Sequence, residues 1–296
     1  MPEGVIVKGI GGFYYVQTKD ALIECKAKGV FRLDKTANTP LPGDKVLIDL
    51  LDSETDKGVI SKICERTSLL NRPAVANITQ LFIVIACTQP EPDLLLADKL
   101  IVTALFHNIK PILVFNKIDL RDEGIQSITC QYEKSNFEII LTSTINDFGT
   151  DEVLDKMKNQ ISGFAGQSGV GKSSILNSML KDLVMLTGTL GEKSFRGKHT
   201  TRHAELFALE GNGFVLDTPG FSNYELEDVM YDELWRYYPE MSDASDKCRF
   251  NGCIHVSEPD CEVKKLVETK EIDENRYKRY VQLVTVLKEK HKNRWR

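Results

Sequence analysis

The sequence predicts an α/β protein in three parts: a small β-barrel, a parallel sheet covered by helices, and a mostly helical end around a cysteine cluster. Three observations predict it. Short runs of alternating apolar residues fill the first 67 positions. Strand and helix patterns then alternate to about residue 225. Three of the seven cysteines fall between Cys248 and Cys261.

Residues 1–67 carry alternation at Val5–Val7, Phe13–Tyr15, Leu22–Cys25, Val46–Ile48 and Val59–Ile63. Gly11-Gly12 and Pro42-Gly43-Asp44 are turn signals between them. Five short strands in so short a stretch predict a barrel, and an OB-fold is the natural candidate. Such barrels often bind oligonucleotides. Lys26, Lys28, Arg32 and Lys35 form a modest basic stretch that reads equally well as a solvated loop.

Residues 68–225 begin with the continuous apolar strand Leu81–Cys87, followed by helical spacing from Asp93 to Asn108. Pro111–Phe115 and Glu138–Leu141 are strands with a helix between them. Asp151–Met157 is helical, and Ile161–Ala165 is another short strand. Alternation of this kind implies a parallel sheet with helices on both faces. Arg202–Leu209 and Phe214–Leu216 read as a strand pair joined at Glu210–Gly213.

In residues 226–296, Glu227–Tyr238 reads as a helix stopped by Pro239, and further helices are expected near Val263–Glu268 and Asp273–Glu289. From Arg276 to Arg296 eight Lys or Arg face one acid, Glu289, so the stretch carries 8 − 1 = +7 on a chain of net charge −5. A basic tail on an acidic chain suits contact with phosphate backbones. A solvated helix end, where cations complement the dipole, is the plainer reading.

The chain has 296 residues, 42% of them hydrophobic, which allows a sizeable core and excludes wholesale disorder. Apolar runs such as Leu81–Cys87 are too short to span a bilayer, and Met-Pro-Glu-Gly is no signal peptide. A cytoplasmic protein with no membrane partner is expected. In a reducing compartment, seven cysteines with three clustered point to a metal rather than to disulfides.

Gly166-Gln167-Ser168-Gly169-Val170-Gly171-Lys172-Ser173 fits the phosphate-binding pattern G-x-x-x-x-G-K-[ST]. It follows an apolar strand and opens a helix at Ser174, the context that the pattern requires. The glycines let successive backbone N–H groups point at the β-phosphate. Lys172 is expected to act on the β- and γ-phosphates, and the Ser173 hydroxyl to bind Mg²⁺.

Asn116-Lys117-Ile118-Asp119 follows the strand Pro111–Phe115 and fits N-K-x-D. The Asp119 carboxylate suits the paired N–H donors of guanine, which adenine lacks. Asn116 would tie this loop to the phosphate loop, and the stem of Lys117 would cover the base. Ser143, in Thr142-Ser143, matches the backbone element that touches guanine O6 in GTPases. Asp217-Thr-Pro-Gly220 has the D-x-x-G form, with Asp217 near Mg²⁺ and the Gly220 N–H reaching the γ-phosphate. Between the loops lies Gly197-Lys198-His199-Thr200-Thr201, where either Thr200 or Thr201 would complete the Mg²⁺ shell. The bound species expected is therefore GTP or GDP with Mg²⁺.

The guanine motif precedes the phosphate loop, the reverse of ordinary GTPases, and a circular permutation of the P-loop domain accounts for this order. Phe221 follows Gly220 at the place where Ras-like enzymes carry a water-positioning glutamine. His199 either takes over that task as a catalytic residue or only shapes the switch loop.

Cys248-x4-Cys253-x-His255-x5-Cys261 supplies four soft donors in 14 residues. Three thiolates and an imidazole suit one tetrahedral structural Zn²⁺, with no open position for catalysis. Cys25, Cys64, Cys87 and Cys130 lie in or beside apolar stretches and read as core residues.

A barrel, a permuted GTPase domain and a Cys-Cys-His-Cys module together resemble the RsgA (YjeQ/YloQ) family of bacterial ribosome-dependent GTPases. The resemblance covers essentially the whole chain, divided as 1–67, 68–225 and 226–296. It implies a monomeric factor that binds the small ribosomal subunit and its rRNA late in maturation, beside other assembly factors. It also implies that subunits stimulate GTP hydrolysis and that His199 takes part. A GTP-loaded RNA-binding adaptor with negligible hydrolysis is the alternative that the missing glutamine leaves open.

Overall fold

The computed structural model describes residues 1–29, 31, 39–51, 54–71, 73–120, 124–187, 204–209, 211–217, 226 and 228–293, with backbone alone at 54, 55, 180–187 and 217. Strands β1 (Glu3–Ile10), β2 (Phe13–Thr18), β3 (Leu22–Ala27), β4 (Lys45–Leu51) and β5 (Glu54–Ile63) close a barrel in the order β1-β2-β3-β5-β4. Alternate side chains such as Ile6, Val16, Ile23, Ile48 and Ile60 fill its interior. The strands and barrel therefore form where the apolar alternation places them.

A short hairpin, β6 (Leu69–Asn71) with β7 (Ala74–Ala76), follows the barrel. Three-residue strands carry too little periodicity to be read from sequence. The buried Asp44 carboxylate accepts from Arg66 Nε at 2.7 Å, and Ala76 N–H donates to Pro42 O at 2.9 Å. The hairpin is thus tied to the turn that leads into β4. Lys8 reaches Glu205 on the next domain at 2.8 Å.

The central sheet has the order β10-β9-β8-β11-β13-β12, formed by β8 (Gln80–Ala86), β9 (Lys110–Asn116), β10 (Glu138–Thr142), β11 (Ile161–Ala165), β12 (Glu205–Leu209) and β13 (Gly213–Asp217). All neighbours pair in parallel except β12 and β13. Every β8 residue is buried because the strand has a core on each face. Leu81, Ile83 and Ile85 meet α1 (Leu94–Phe106) and α2 (Ile125–Glu133) through Leu100 and Tyr132. Phe82 and Val84 pack with Met157 of α3 (Thr150–Met157) and Ile175 of α4 (Lys172–Thr187).

The expected helix over Glu227–Tyr238 does not form. A 3₁₀ turn covers Leu234–Tyr237, and Pro239 begins α5 (Pro239–Ser245) instead of ending a helix. Proline suits the first helical position, because its missing N–H would be unpaired there anyway. After α5 come the cysteine loop, α6 (Glu262–Glu268) and α7 (Glu274–Asn293). Leu226, Val229, Leu234 and Tyr238 share one core with Tyr280, Leu283, Val284 and Leu287 of α7.

Two of the basic residues in the tail are not surface groups. Arg276 is 1% exposed and its guanidinium lies between the rings of Tyr132 and Tyr238, at 4.8 and 4.7 Å. Arg279 is 13% exposed. Both pair with Asp98 of α1, and Arg276 also pairs with Glu240. Burial alone would lower the Arg276 pKa, but the two carboxylates outweigh it and hold the group charged. Of the four cysteines read as core, Cys25 and Cys87 are buried whereas Cys64 and Cys130 are half-buried.

Candidate functional site

Asn116 ends β9, Thr142 ends β10 and Ala165 ends β11, so the parallel sheet brings three motifs to one edge. Crevices outside the carboxyl ends of parallel strands are where such sheets bind ligands. Asn116 Nδ2 donates to Val170 O at 2.8 Å, and its Oδ1 accepts from Thr142 Oγ1 at 3.0 Å. One buried side chain therefore joins all three loops.

Lys117 adopts φ 63°. Its ammonium donates to Gln89 O at 2.5 Å and to Gly169 O at 2.8 Å. The stem is thereby stretched between the phosphate loop and the loop that follows β8. Ile118 and Asp119 form a 3₁₀ turn with Leu120. Asp119 Oδ1 accepts from the Ser143 hydroxyl at 2.6 Å, and the Ser143 oxygen in turn accepts from Asn146 N–H at 3.2 Å. A carboxylate fixed on one oxygen keeps its remaining acceptor sites for a base with adjacent N–H donors.

The phosphate loop turns tightly between β11 and α4. Gly166, at φ 138°, lies so close to Val84 O that a Cβ would approach it to 2.2 Å. Gly171, at φ 101°, would place a Cβ 2.3 Å from Asn116 Nδ2. Both positions need glycine, and the second makes the two loops mutually dependent. Lys172 donates to Gly166 O at 2.7 Å and to Gln167 O at 2.9 Å. Burial lowers its pKa below the ordinary lysine value. Ser168, Gly169, Ser173 and Ser174 are exposed at the mouth of the loop, whereas Val170 is buried. This cradle suits a polyphosphate, which would supply the lysine with the charge partner that it lacks among the described residues.

Of the remaining predicted residues, His199, Thr200, Thr201 and Gly220 lie outside the described residues, and so does Phe221. Asp217 is described by its backbone, at the end of β13 beside β11. Two contributors escaped the sequence reading: the Thr142 hydroxyl and the Gln89 carbonyl. The first lay inside the recognised Thr142-Ser143 pair. The second is a main-chain group and carries no residue signature.

Cys248, Cys253, His255 and Cys261 offer ligand atoms that all lie within 4.8 Å of one another. Cys248 Sγ is 3.6 Å from His255 Nδ1 and 3.9 Å from Cys261 Sγ, and His255 Nδ1 is 3.4 Å from Cys261 Sγ. A tetrahedral zinc with bonds of about 2.3 Å to sulfur requires sulfur–sulfur edges of roughly 3.8 Å, so the donor set fits. The loop is held from outside. Glu258 accepts the N–H groups of Ile254, Val256 and Ser257, each at 3.0 Å. Tyr277 and Tyr280 of α7 donate to His255 O and Ile254 O, each at 2.7 Å. Burial pushes the Cys253 thiol up to about 12, so only a bound cation would make thiolates stable here.

Comparison with known proteins agrees with these features. The RsgA N-terminal domain profile matches residues 3–60 and the RsgA GTPase profile matches residues 63–227. The small ribosomal subunit biogenesis GTPase RsgA of Ruminiclostridium cellulolyticum is 47% identical over 98% of this chain and 95% of its own length. The protein of the same description from Clostridium novyi is 43% identical over 99% of this chain and 100% of its own. Among solved structures, YjeQ from Thermotoga maritima superposes with a TM-score of 0.84 at 34% identity, covering 97% of this chain and 98% of that one. YloQ, described as a circularly permuted GTPase, gives 0.82 at 33% identity over 98% and 96% of the two chains. With a guanine-type loop ahead of its phosphate loop, an N-terminal barrel and a Cys-Cys-His-Cys cluster, the chain belongs to the RsgA family of GTP-hydrolysing enzymes.

Proposed function

We propose that the chain is a GTPase of small ribosomal subunit biogenesis whose turnover is stimulated by the subunit itself. The observation that carries the nucleotide part is the Asn116–Val170 bond, which builds one pocket from a base loop and a phosphate cradle. Asp119 reads the guanine edge, with Ser143 aiming its carboxylate. Lys117 covers the base, while the loop from Gly166 to Ser174 wraps the phosphates. Lys172 offsets charge that develops on the β- and γ-phosphates, and Ser173 with Thr200 or Thr201 holds Mg²⁺ near Asp217. The Gly220 N–H reaches the γ-phosphate, and His199 orients the water. GTP and water become GDP and phosphate.

The partner follows from the relatives, which are named as small-subunit biogenesis GTPases. The barrel over 1–67 and the basic end of α7 supply surfaces for rRNA, and the unit over 226–296 holds one structural Zn²⁺. Zinc would staple the loop from Cys248 to Cys261, against which α7 packs while it also contacts the GTPase domain. No described helix is long and apolar enough to cross a membrane. We place the protein's work on ribosomal particles in the cytoplasm. Co-sedimentation with purified small subunits tests the partner: a non-hydrolysable GTP analogue should retain the protein in the subunit fraction and GDP should release it. Equal sedimentation without subunits, or with large subunits alone, would refute it.

A further inference from the structure

Helix α7 touches the metal-ligand loop and the GTPase domain with different residues. Tyr277 and Tyr280 hold the carbonyls of His255 and Ile254. One turn or less away, Arg276 Nη1 donates to Asp98 Oδ1 and Arg279 Nε to Asp98 Oδ2, each at 2.5 Å. Arg279 also donates to Gln131 at 2.7 Å. The Asp98 carboxylate is wholly buried and takes one guanidinium on each oxygen. Apolar packing would hold two units together with some freedom of rotation, whereas charge-assisted bonds to both oxygens fix the orientation.

Asp98 lies early in α1, whose N-cap is Asp93. Only Pro90, Glu91 and Pro92 separate that cap from Gln89. Two prolines in so short a link restrict its backbone, so a displacement of α1 passes to Gln89. The Gln89 carbonyl is one of the two acceptors of Lys117, and Leu120 N–H bonds Lys117 O across the turn that carries Asp119.

We propose that Asp98 is a positioning residue for the guanine side of the nucleotide site. The metal-bearing unit, through Arg276 and Arg279, sets α1; α1 sets the Gln89 loop; that loop sets Lys117 and the aim of Asp119. The proposal rests on the reading of Asn116–Asp119 as the base loop. It adds a route by which an event at the metal-bearing unit changes nucleotide affinity without passing through the switch segments.

The test compares GDP with IDP, whose base lacks the 2-amino group, in equilibrium titrations of the full-length protein. Wild type, Arg279→Gln, Arg279→Lys, Asp98→Asn and Asp119→Asn are measured together with bound zinc and circular dichroism. Arg279→Gln and Asp98→Asn should bind GDP about five- to tenfold more weakly with metal content and fold unchanged, and their preference for GDP over IDP should shrink. Arg279→Lys should recover part of the loss. A merely structural joint would not alter the base preference. If Asp98→Asn fails to fold, Arg279→Gln decides, because Arg276 still neutralises Asp98 there. A folded, metal-replete Arg279→Gln with wild-type GDP affinity and preference overturns the proposal. If Asp119→Asn leaves the preference untouched, the base reading itself fails, and positioning is then judged on GDP affinity alone.

Discussion

Asn116 Nδ2 donates to the carbonyl of Val170 at 2.8 Å, and the same amide nitrogen stands where a Cβ on Gly171 would have to go. The base loop and the phosphate loop are therefore one structure. Asn116→Ala should leave the Val170 carbonyl and the Thr142 hydroxyl without their buried partner. A loss on the order of 1–3 kcal/mol, or about 5- to 150-fold in affinity, is expected for GTP and GDP alike. Calorimetric titration checks it, and unaltered affinity would show that the loops hold each other by other means.

Asp119→Asn should weaken GTP and admit xanthosine triphosphate, because an amide donor suits the 2-oxo group of xanthine. Ser143→Ala should weaken guanine binding less, since it removes the 2.6 Å hydroxyl that aims the carboxylate and leaves the carboxylate itself. Competition titrations with the two nucleotides rank the variants. The assignment is refuted by an Asp119→Asn protein that still prefers GTP as the wild type does.

Lys172 is a half-buried amine whose pKa is lowered by that burial. A bound polyphosphate would raise it again. A group whose pKa is higher in the complex strengthens binding below its free-state pKa, and that contribution fades as pH rises through it. GDP affinity should therefore fall on the alkaline side, beginning below the pH at which an ordinary lysine titrates, with proton uptake on binding there. Calorimetry in buffers of different ionisation enthalpy reads the proton count.

Metal analysis should give one zinc per chain. Such closed sites contribute on the order of 10 kcal/mol to the folding of their module. Cys253→Ser should therefore expose the segment beyond residue 226 to protease while the barrel resists. Burial lowers the His255 pKa, keeping the imidazole neutral to a lower pH than an ordinary histidine, and zinc should be lost on acidification below that point.

The basic tail divides into two classes with opposite expected phenotypes. Lys288→Ala and Lys292→Ala should weaken subunit binding and flatten its salt dependence, by roughly 0.7–0.9 in the log–log slope for each phosphate no longer neutralised. Arg276→Met should act on stability instead, costing about 3–5 kcal/mol because Asp98 and Glu240 lose a buried partner. Salt-dependent sedimentation and thermal unfolding separate the two.

What was legible in the sequence was whatever depends on local pattern. The alternation at Ile6, Val16 and Ile48 placed the barrel strands. The unbroken run Leu81–Cys87 placed the central strand, and motif spacing located Asn116 and Lys172. Partners chosen across the chain were hidden. Arg276 and Arg279 read as surface charge, because their counter-ion Asp98 lies 178 positions before Arg276. Pro239 read as a stop signal, although proline is equally at home at a helix start. The Lys117 bond to Gln89 involves a main-chain oxygen that any residue supplies. The paired loops of the site were thus readable as parts, and their bonds to one another were not.

GTP turnover with and without purified small ribosomal subunits tests the central claim most directly. With Phe221 in place of a water-positioning glutamine, the isolated protein should be slow, near the ~10⁻⁴ s⁻¹ typical of unassisted GTPases of the Ras type. Small subunits should raise the rate by on the order of tenfold or more, and His199→Ala should lower the stimulated rate more than it lowers GTP affinity. Tight GTP binding with a turnover that stays at the basal rate across a full titration of small subunits would contradict the account, and would leave a nucleotide-loaded RNA adaptor in its place.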